Sequence, residues 1–271
     1  MVLMNKGFRQ QIAESLQQLI ESRSDVLAAW EGGSAATGYL DDYSDLDLAI
    51  VCADDAVETV IACVDDFLEE KYGIEKRFRV PEPAWHGFSQ CYYRIRNTPA
   101  YYFLDISFIR RSNPEKFTAS DRHGQAVVWF EKKPVVDRSP TPDDQVTARA
   151  RRLYLRCVTM DFVFIAEVEK AIARNRFSEA FPAYFNFIAR FLAVMLNLKH
   201  RPSKADFGLR YGYRDYPADD AKWIEELFKV ASLDDLSRKF TTAVARYHVL
   251  VEDFRTVCGY SGESSRENQA Q

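Results

Sequence analysis

The sequence predicts an α+β protein, with a mixed sheet flanked by helices in its first half and an all-α helical bundle in its second. Three observations predict it. Short apolar runs of strand length alternate with amphipathic stretches up to about residue 137. A proline-bearing connector, Ser139-Pro140-Thr141-Pro142, follows. Beyond it the spacing is helical to about residue 258, apart from a polar interruption at 199–217. The expected organisation is therefore a first domain over 1–138, a helical bundle over 142–258 and a polar, disordered tail over 259–271.

Each element has its own signal. Phe8, Ile12, Leu16 and Leu19/Ile20 recur at helical spacing, so residues 5–22 read as an amphipathic helix. Val26 to Trp30 is a continuous apolar run, read as a buried strand. Gly32-Gly33-Ser34 breaks it, and Ala35-Ala36-Thr37 reads as the start of a short helix. Leu46–Cys52 is a second strand. Residues 54–73 open with acids and end on Gly73, as a capped helix should. Ile74–Val80 reads as a third strand, and 88–97 and 101–109 as an aromatic-rich hairpin, with Trp85, Tyr92, Tyr93, Tyr101 and Tyr102 expected to pack rather than to stack on a nucleobase or sugar, the alternative their rings leave open. Val127–Phe130 adds a last strand. In the second half the spacing predicts helices over 142–174, 177–198, 218–230 and 233–257, antiparallel in a bundle. Phe181, Tyr184, Phe185, Phe187 and Phe191 would be its core.

Composition excludes several classes. The 271 residues carry 36 Lys+Arg against 40 Asp+Glu, a net charge of −4, which argues against a nucleic-acid-coating protein with a dense basic face. The charge is uneven: residues 1–140 hold 16 basic and 22 acidic side chains, leaving the second half slightly positive. The five cysteines are scattered, without a C-x-x-C pair, so neither a disulfide framework nor a zinc knuckle fits. His86, His123, His200 and His248 are isolated and have no evident partner. The start of the chain does not read as a signal peptide, and FLAVMLNL (191–198) is too short to cross a bilayer. The expectation is a cytoplasmic protein.

One constellation carries chemistry. Gly32-Gly33-Ser34 is followed, after ten residues, by Asp45-Leu46-Asp47 and an apolar strand. Strand side chains alternate, so Asp45 and Asp47 share a face about 6.5–7 Å apart, while Leu46, Leu48 and Ile50 turn inward. Adjacent carboxylates repel, and a hard cation such as Mg²⁺ resolves that. The glycine turn removes side chains where backbone N–H groups and the Ser34 hydroxyl can hold a phosphate.

This pattern resembles the nucleotidyltransferase superfamily that includes DNA polymerase beta, the poly(A) and CCA-adding enzymes and the aminoglycoside nucleotidyltransferases. The resemblance covers about residues 25–110 and rests on Gly33-Ser34, on Asp45-Leu46-Asp47, and on Asp105 in YYFLDISFI as the family's third acid. The helical second half matches the build of the aminoglycoside-type members. The resemblance implies two Mg²⁺ ions held by Asp45, Asp47 and Asp105, with Gly33 and Ser34 binding the nucleoside triphosphate. It implies transfer of AMP from ATP to a hydroxyl of a small molecule, such as an aminoglycoside antibiotic, with release of pyrophosphate. Asp105 could also accept the hydroxyl proton. Two alternatives stay open: a protein or tRNA acceptor, and a nucleotide-binding partner module without turnover. Arg149, Arg152 and Arg156 on one helical stripe, and Lys199, His200, Arg201 and Lys204 in the connector, read as solvated faces or as phosphate contacts. Glu167 and Glu169 read as ordinary surface, or as carboxylates for a cationic acceptor or an added base.

Overall fold

The computed structural model describes residues 6–255, so the tail at 259–271 and Cys258 lie outside the described residues. The chain divides into two compact units, residues 1–140 and 141–271.

The first unit is built on a six-stranded mixed sheet. Its elements run α1 (Lys6–Glu21), β1 (Val26–Glu31), α2 (Gly33–Thr37), β2 (Leu46–Cys52), α3 (Val57–Tyr72), β3 (Ile74–Arg79), β4 (Ser89–Ile95), β5 (Leu104–Arg110), α4 (Ser120–His123) and β6 (Val127–Glu131). The strands are ordered β3-β4-β5-β2-β1-β6. All neighbours are antiparallel except β2 and β5, which pair in parallel. Burial alternates strictly along β4 and along the first residues of β2 and β5. Leu46, Leu48, Ile50, Leu104, Ile106, Cys91 and Tyr93 therefore pack on one face with Ile12, Leu16 and Ile20 of α1 and Val60, Val64 and Leu68 of α3. On the opposite face a smaller cluster, including Ala28, Trp30, Val51, Phe88 and Ile109, covers the other end of the strands. The hairpin expected at 88–109 is present as β4 and β5. Trp85, expected to pack, is instead 89% exposed, because it lies in the loop between β3 and β4 rather than on a strand.

The second unit contains α5 (Asp143–Ala173), α6 (Phe177–Phe187), α7 (Ala193–His200), α8 (Gly212–Asp215), α9 (Ala218–Phe228) and α10 (Leu233–Arg255). A π-helical turn over Ile188–Leu192 joins α6 to α7 without a break. This run, Phe177–His200, is longer than the apolar stretch the sequence suggested and is long and apolar enough to cross a membrane by length and composition. Here most of it is buried, with Tyr184, Phe187, Phe191, Leu192 and Leu196 in the unit's core beside Tyr154, Phe240 and Tyr247. The buried tyrosines have hydrogen-bond acceptors: Tyr184 donates to Leu227 O (2.8 Å) and Tyr154 to Val251 O (3.0 Å). Phe185 departs from expectation. It is 46% exposed, because its position on α6 turns away from the side that carries Tyr184 and Phe187.

The polar interruption at 199–217 is an ordered network around one buried cation. Arg201 donates to Asn197 Oδ1 (2.7 Å), Arg210 O (2.7 Å), Gly208 O (2.9 Å) and Asp215 Oδ2 (2.9 Å). Lys204 also reaches Asp215 (3.1 Å), and Tyr216 donates to Asn197 Oδ1 (2.6 Å). His200, isolated in sequence, bonds Asp220 at 2.7 Å, and Asp220 also takes Arg246. Of the expected connector cations, Lys199 alone is exposed; Arg201, Lys204 and His200 are structural.

Burial alone would push the Asp215 carboxyl up, but the hydrogen bonds from Arg201 and Lys204 outweigh it and hold it below the ordinary range. A carboxyl lowered in the folded state stabilises above its unfolded value and loses that contribution as pH falls through its folded value. Asp215→Asn should therefore cost roughly 3 kcal/mol at pH 7, since it leaves Arg201 buried with its charge uncompensated. Its melting temperature should also fall less than the wild-type value as pH drops below about 4. Thermal denaturation across pH checks both; parallel wild-type and variant profiles would refute the linkage.

Candidate active site

The glycine turn is welded to β2. Gly32 N–H donates to Asp47 O (2.9 Å), continuing the β1–β2 ladder one step beyond the strand. Gly33 follows with φ +51°, a backbone conformation open to glycine and strained for other residues. A Cβ at Gly33 would lie 1.7 Å from Asp47 Oδ2, so the carboxylate rests directly against this backbone. Thr37 Oγ1 bonds Gly33 O (3.0 Å) and closes the short α2. Ser34 Oγ is buried and has no hydrogen-bond partner among the described residues. A buried hydroxyl normally finds a partner, so this one stands ready for an oxygen from outside the chain.

Two of the three acids come from neighbouring strands, and the third precedes one of them. Asp47 on β2 is directly opposite Asp105 on β5 in the parallel register. Asp45 lies just before β2, at the entry to the strand rather than within it. Its carbonyl accepts two bonds from Arg9 of α1, from Nε (3.2 Å) and Nη2 (3.0 Å). Arg9 is buried and ion-paired with buried Glu31 at 2.7 Å, and Glu31 also accepts from Trp129 Nε1 (3.2 Å). This brace fixes the backbone where Asp45 enters the site.

Burial pushes the Asp105 carboxyl up, a hydrogen bond from Gln90 opposes this, and the charge of Asp45 adds to the rise. Gln90 Nε2 donates to Asp105 Oδ1 (2.6 Å) and also approaches the Tyr92 hydroxyl (2.9 Å). Tyr92, opposite Asp105 in the β4–β5 register, is itself pushed up by burial and then by the Asp105 charge.

Among the described residues, no group of three or more His, Cys, Asp or Glu side chains is gathered closely enough to hold a metal ion as it stands. The donor chemistry nevertheless fits a hard divalent cation. It consists of carboxylate oxygens in like-charged apposition, with an unpartnered buried hydroxyl on the adjoining turn. The Gly33-Ser34 turn that follows β1 lies against Asp47 of β2, and Asp47 lies opposite Asp105 of β5. Gln90, Arg9 and Glu31 went unnoticed in the sequence. Gln90 carries no motif, and its role depends on the β4–β5 register; Arg9 and Glu31 are one charged pair among many.

No protein-family model matches this chain, and no curated protein sequence matches it. Among solved structures it is similar to an aminoglycoside 6-adenyltransferase from Bacillus subtilis, at 13% identity and TM-score 0.35, covering 93% of this chain and 91% of that one. It is also similar to a nucleotidyltransferase-like protein from Exiguobacterium sibiricum, at 11% identity and TM-score 0.36, over 92% of this chain and 76% of that one. A third likeness is to the structure of a GLD-2/RNP-8 complex, at 12% identity and TM-score 0.31, over 88% and 78%. The function proposed below rests on the residues of the site.

Gly33→Ala should destabilise the protein by roughly 2–4 kcal/mol, through backbone strain and collision with Asp47. In an Asp47→Ala background the carboxylate collision is gone, and roughly 1 kcal/mol should remain from backbone strain and the close Cβ at position 47 (3.2 Å). Urea denaturation of the four proteins in this cycle measures the coupling; equal costs in both backgrounds would show that the Gly33–Asp47 contact is not what requires glycine.

Proposed function

We propose that the protein is a Mg²⁺-dependent nucleotidyltransferase that moves AMP from ATP to a hydroxyl of a small-molecule acceptor and releases pyrophosphate. The observation that supports this reading best is the direct pairing of Asp47 with Asp105, beside a glycine turn that touches the Asp47 carboxylate. In this reading residues 1–138 are the catalytic domain and 142–258 a helical bundle domain.

Asp45, Asp47 and Asp105 would hold Mg²⁺. When bound, the ion supplies positive charge to the triphosphate and acidifies the acceptor hydroxyl. Gly33 lets a phosphate oxygen approach the backbone, and Ser34 Oγ donates to that oxygen. Asp105 Oδ1 is occupied by Gln90, so Oδ2 is the atom that receives the hydroxyl proton. The acceptor oxygen forms its bond to the α-phosphorus as the bond to the bridging oxygen breaks, and pyrophosphate leaves with the electron pair. A carboxyl pushed up by burial is a better proton acceptor than an exposed one.

Thermal shift with Mg²⁺ and each of ATP, GTP, CTP and UTP tests the donor. ATP near a hundredfold excess over its Kd should stabilise by about 2.7 kcal/mol, a rise of several degrees that requires Mg²⁺. Asp45→Asn and Asp47→Asn should lose this rise and all pyrophosphate release while melting at or above the wild-type temperature, because each relieves carboxylate repulsion. Wild-type turnover in either variant, or an ATP shift indifferent to Mg²⁺, would overturn the assignment.

Asp105→Asn tests the third acid separately. A carboxyl raised in the folded state destabilises once pH exceeds its unfolded value, so this variant should gain stability over wild type as pH rises from about 4 to 7 in metal-free buffer. It should at the same time lose pyrophosphate release. A variant less stable than wild type at pH 7 would show that the carboxylate serves the fold instead.

A further inference from the structure

The sheet face that carries Asp47 and Asp105 continues past them to the edge strand. In register, Phe78 of β3 is opposite Tyr92 of β4, Tyr92 is opposite Asp105 of β5, and Asp105 is opposite Asp47 of β2. The four side chains form one row across four strands. The Phe78 and Tyr92 rings are stacked, with centroids 6.4 Å apart and planes 23° from parallel. Phe103 closes edge-on against Tyr92 at 5.8 Å. The Tyr92 hydroxyl is bonded to the same Gln90 amide that holds Asp105. Phe78 is 57% exposed, so its ring is not spent on the core. A single exposed phenylalanine needs no explanation, but this one begins a stacked aromatic surface that ends on the half-buried Asp105 carboxylate.

Charge narrows what this surface accepts. Lys76 and Arg94 are opposite each other in the next same-face position of β3 and β4. Arg94 is paired with Glu75 at 3.1 Å. Lys76 is exposed and has no ion-pair partner among the described residues. The end of the aromatic surface away from the acids therefore carries an exposed cation, Lys76, while its other end meets Asp105 and Asp47.

We propose that Phe78, Tyr92 and Phe103 form the acceptor shelf, and that the acceptor is a neutral or anionic hydroxyl compound with a planar aromatic ring. The ring lies on Phe78 and Tyr92, and the hydroxyl reaches Asp105. This rests on the nucleotidyl-transfer reading above and gives it a direction. Adjacent strands are about 4.8 Å apart, so Tyr92 stands about 5 Å and Phe78 about 10 Å from Asp105, the span of one ring and a short arm. The Gly33-Ser34 turn lies on the other side, beyond Asp47. Acceptor, acids and triphosphate thus follow one another along the row, as displacement with attacking and leaving oxygens in line requires. Such an acceptor differs from the polycationic aminosugar that the sequence resemblance implies.

Calorimetric titration of the full-length protein tests this with three hydroxyl compounds: 4-nitrophenyl β-D-glucopyranoside (neutral), 4-nitrophenyl β-D-glucuronide (anionic) and kanamycin (polycationic). Both aromatic glycosides should bind, more tightly than kanamycin. Phe78→Ala should weaken both roughly three- to tenfold, and Phe78→Trp should restore them. Lys76→Glu should weaken the glucuronide and leave the glucoside unchanged. The shelf is refuted if neither aromatic compound binds, if kanamycin binds more tightly than both, or if Phe78→Ala leaves their affinities unchanged. The titrations use no ATP, so that failure leaves the Mg²⁺–ATP shift standing. Loss of that shift with intact aromatic binding would instead remove the transfer reading.

Discussion

The parallel pairing of β2 with β5 is the constraint on which the candidate site depends. It sets Asp47 against Asp105, two like charges in adjacent strands, on a face where Asp105 is already pushed up by burial. A fold selected only for stability would avoid this apposition, since like charges on adjacent strands repel each other. The unfavourable pairing persists because the surrounding structure over-determines it. On the reverse face the same strands bury Leu46, Leu48, Leu104 and Ile106 against α1 and α3, and a one-residue slip would expose all of them.

The elements around the acids are rigid for identifiable reasons. Arg9 ties α1 to the backbone of Asp45 and to Glu31 at the end of β1, so the helix that covers the core also fixes the entry to β2. Gly33 lets the turn close against Asp47, and Gln90 holds one oxygen of Asp105 from the next strand. Ser34 is the exception: its buried hydroxyl is left without a partner. An unmet donor in such a braced setting is where an incoming ligand gains most, because the cost of ordering the site is already met by the fold.

The second unit spends its polar groups differently. Arg201, Asn197 and Asp215 turn an irregular segment into a packed one, and His200 and Arg246 share Asp220 beside them. These cations looked available for phosphate in the sequence, where their carboxylate partners stand ten or more positions away. Once folded, their charges are engaged within the unit.

The sequence by itself determined the α+β organisation and nearly every element, because helical and strand periodicity are local consequences of which side is buried. It also singled out Gly33, Ser34, Asp45, Asp47 and Asp105, since a glycine turn and an acid–apolar–acid strand are short-range patterns. Only the tertiary structure decided that Asp105 lies opposite Asp47 and Tyr92 and that Gln90 bonds it. The same holds for Phe78, which shares their row, and for Trp85, which is exposed rather than packed. Those outcomes follow from the register between strands far apart in the chain, which the backbone hydrogen-bond ladder and the buried opposite face fix together, and which no local spacing records.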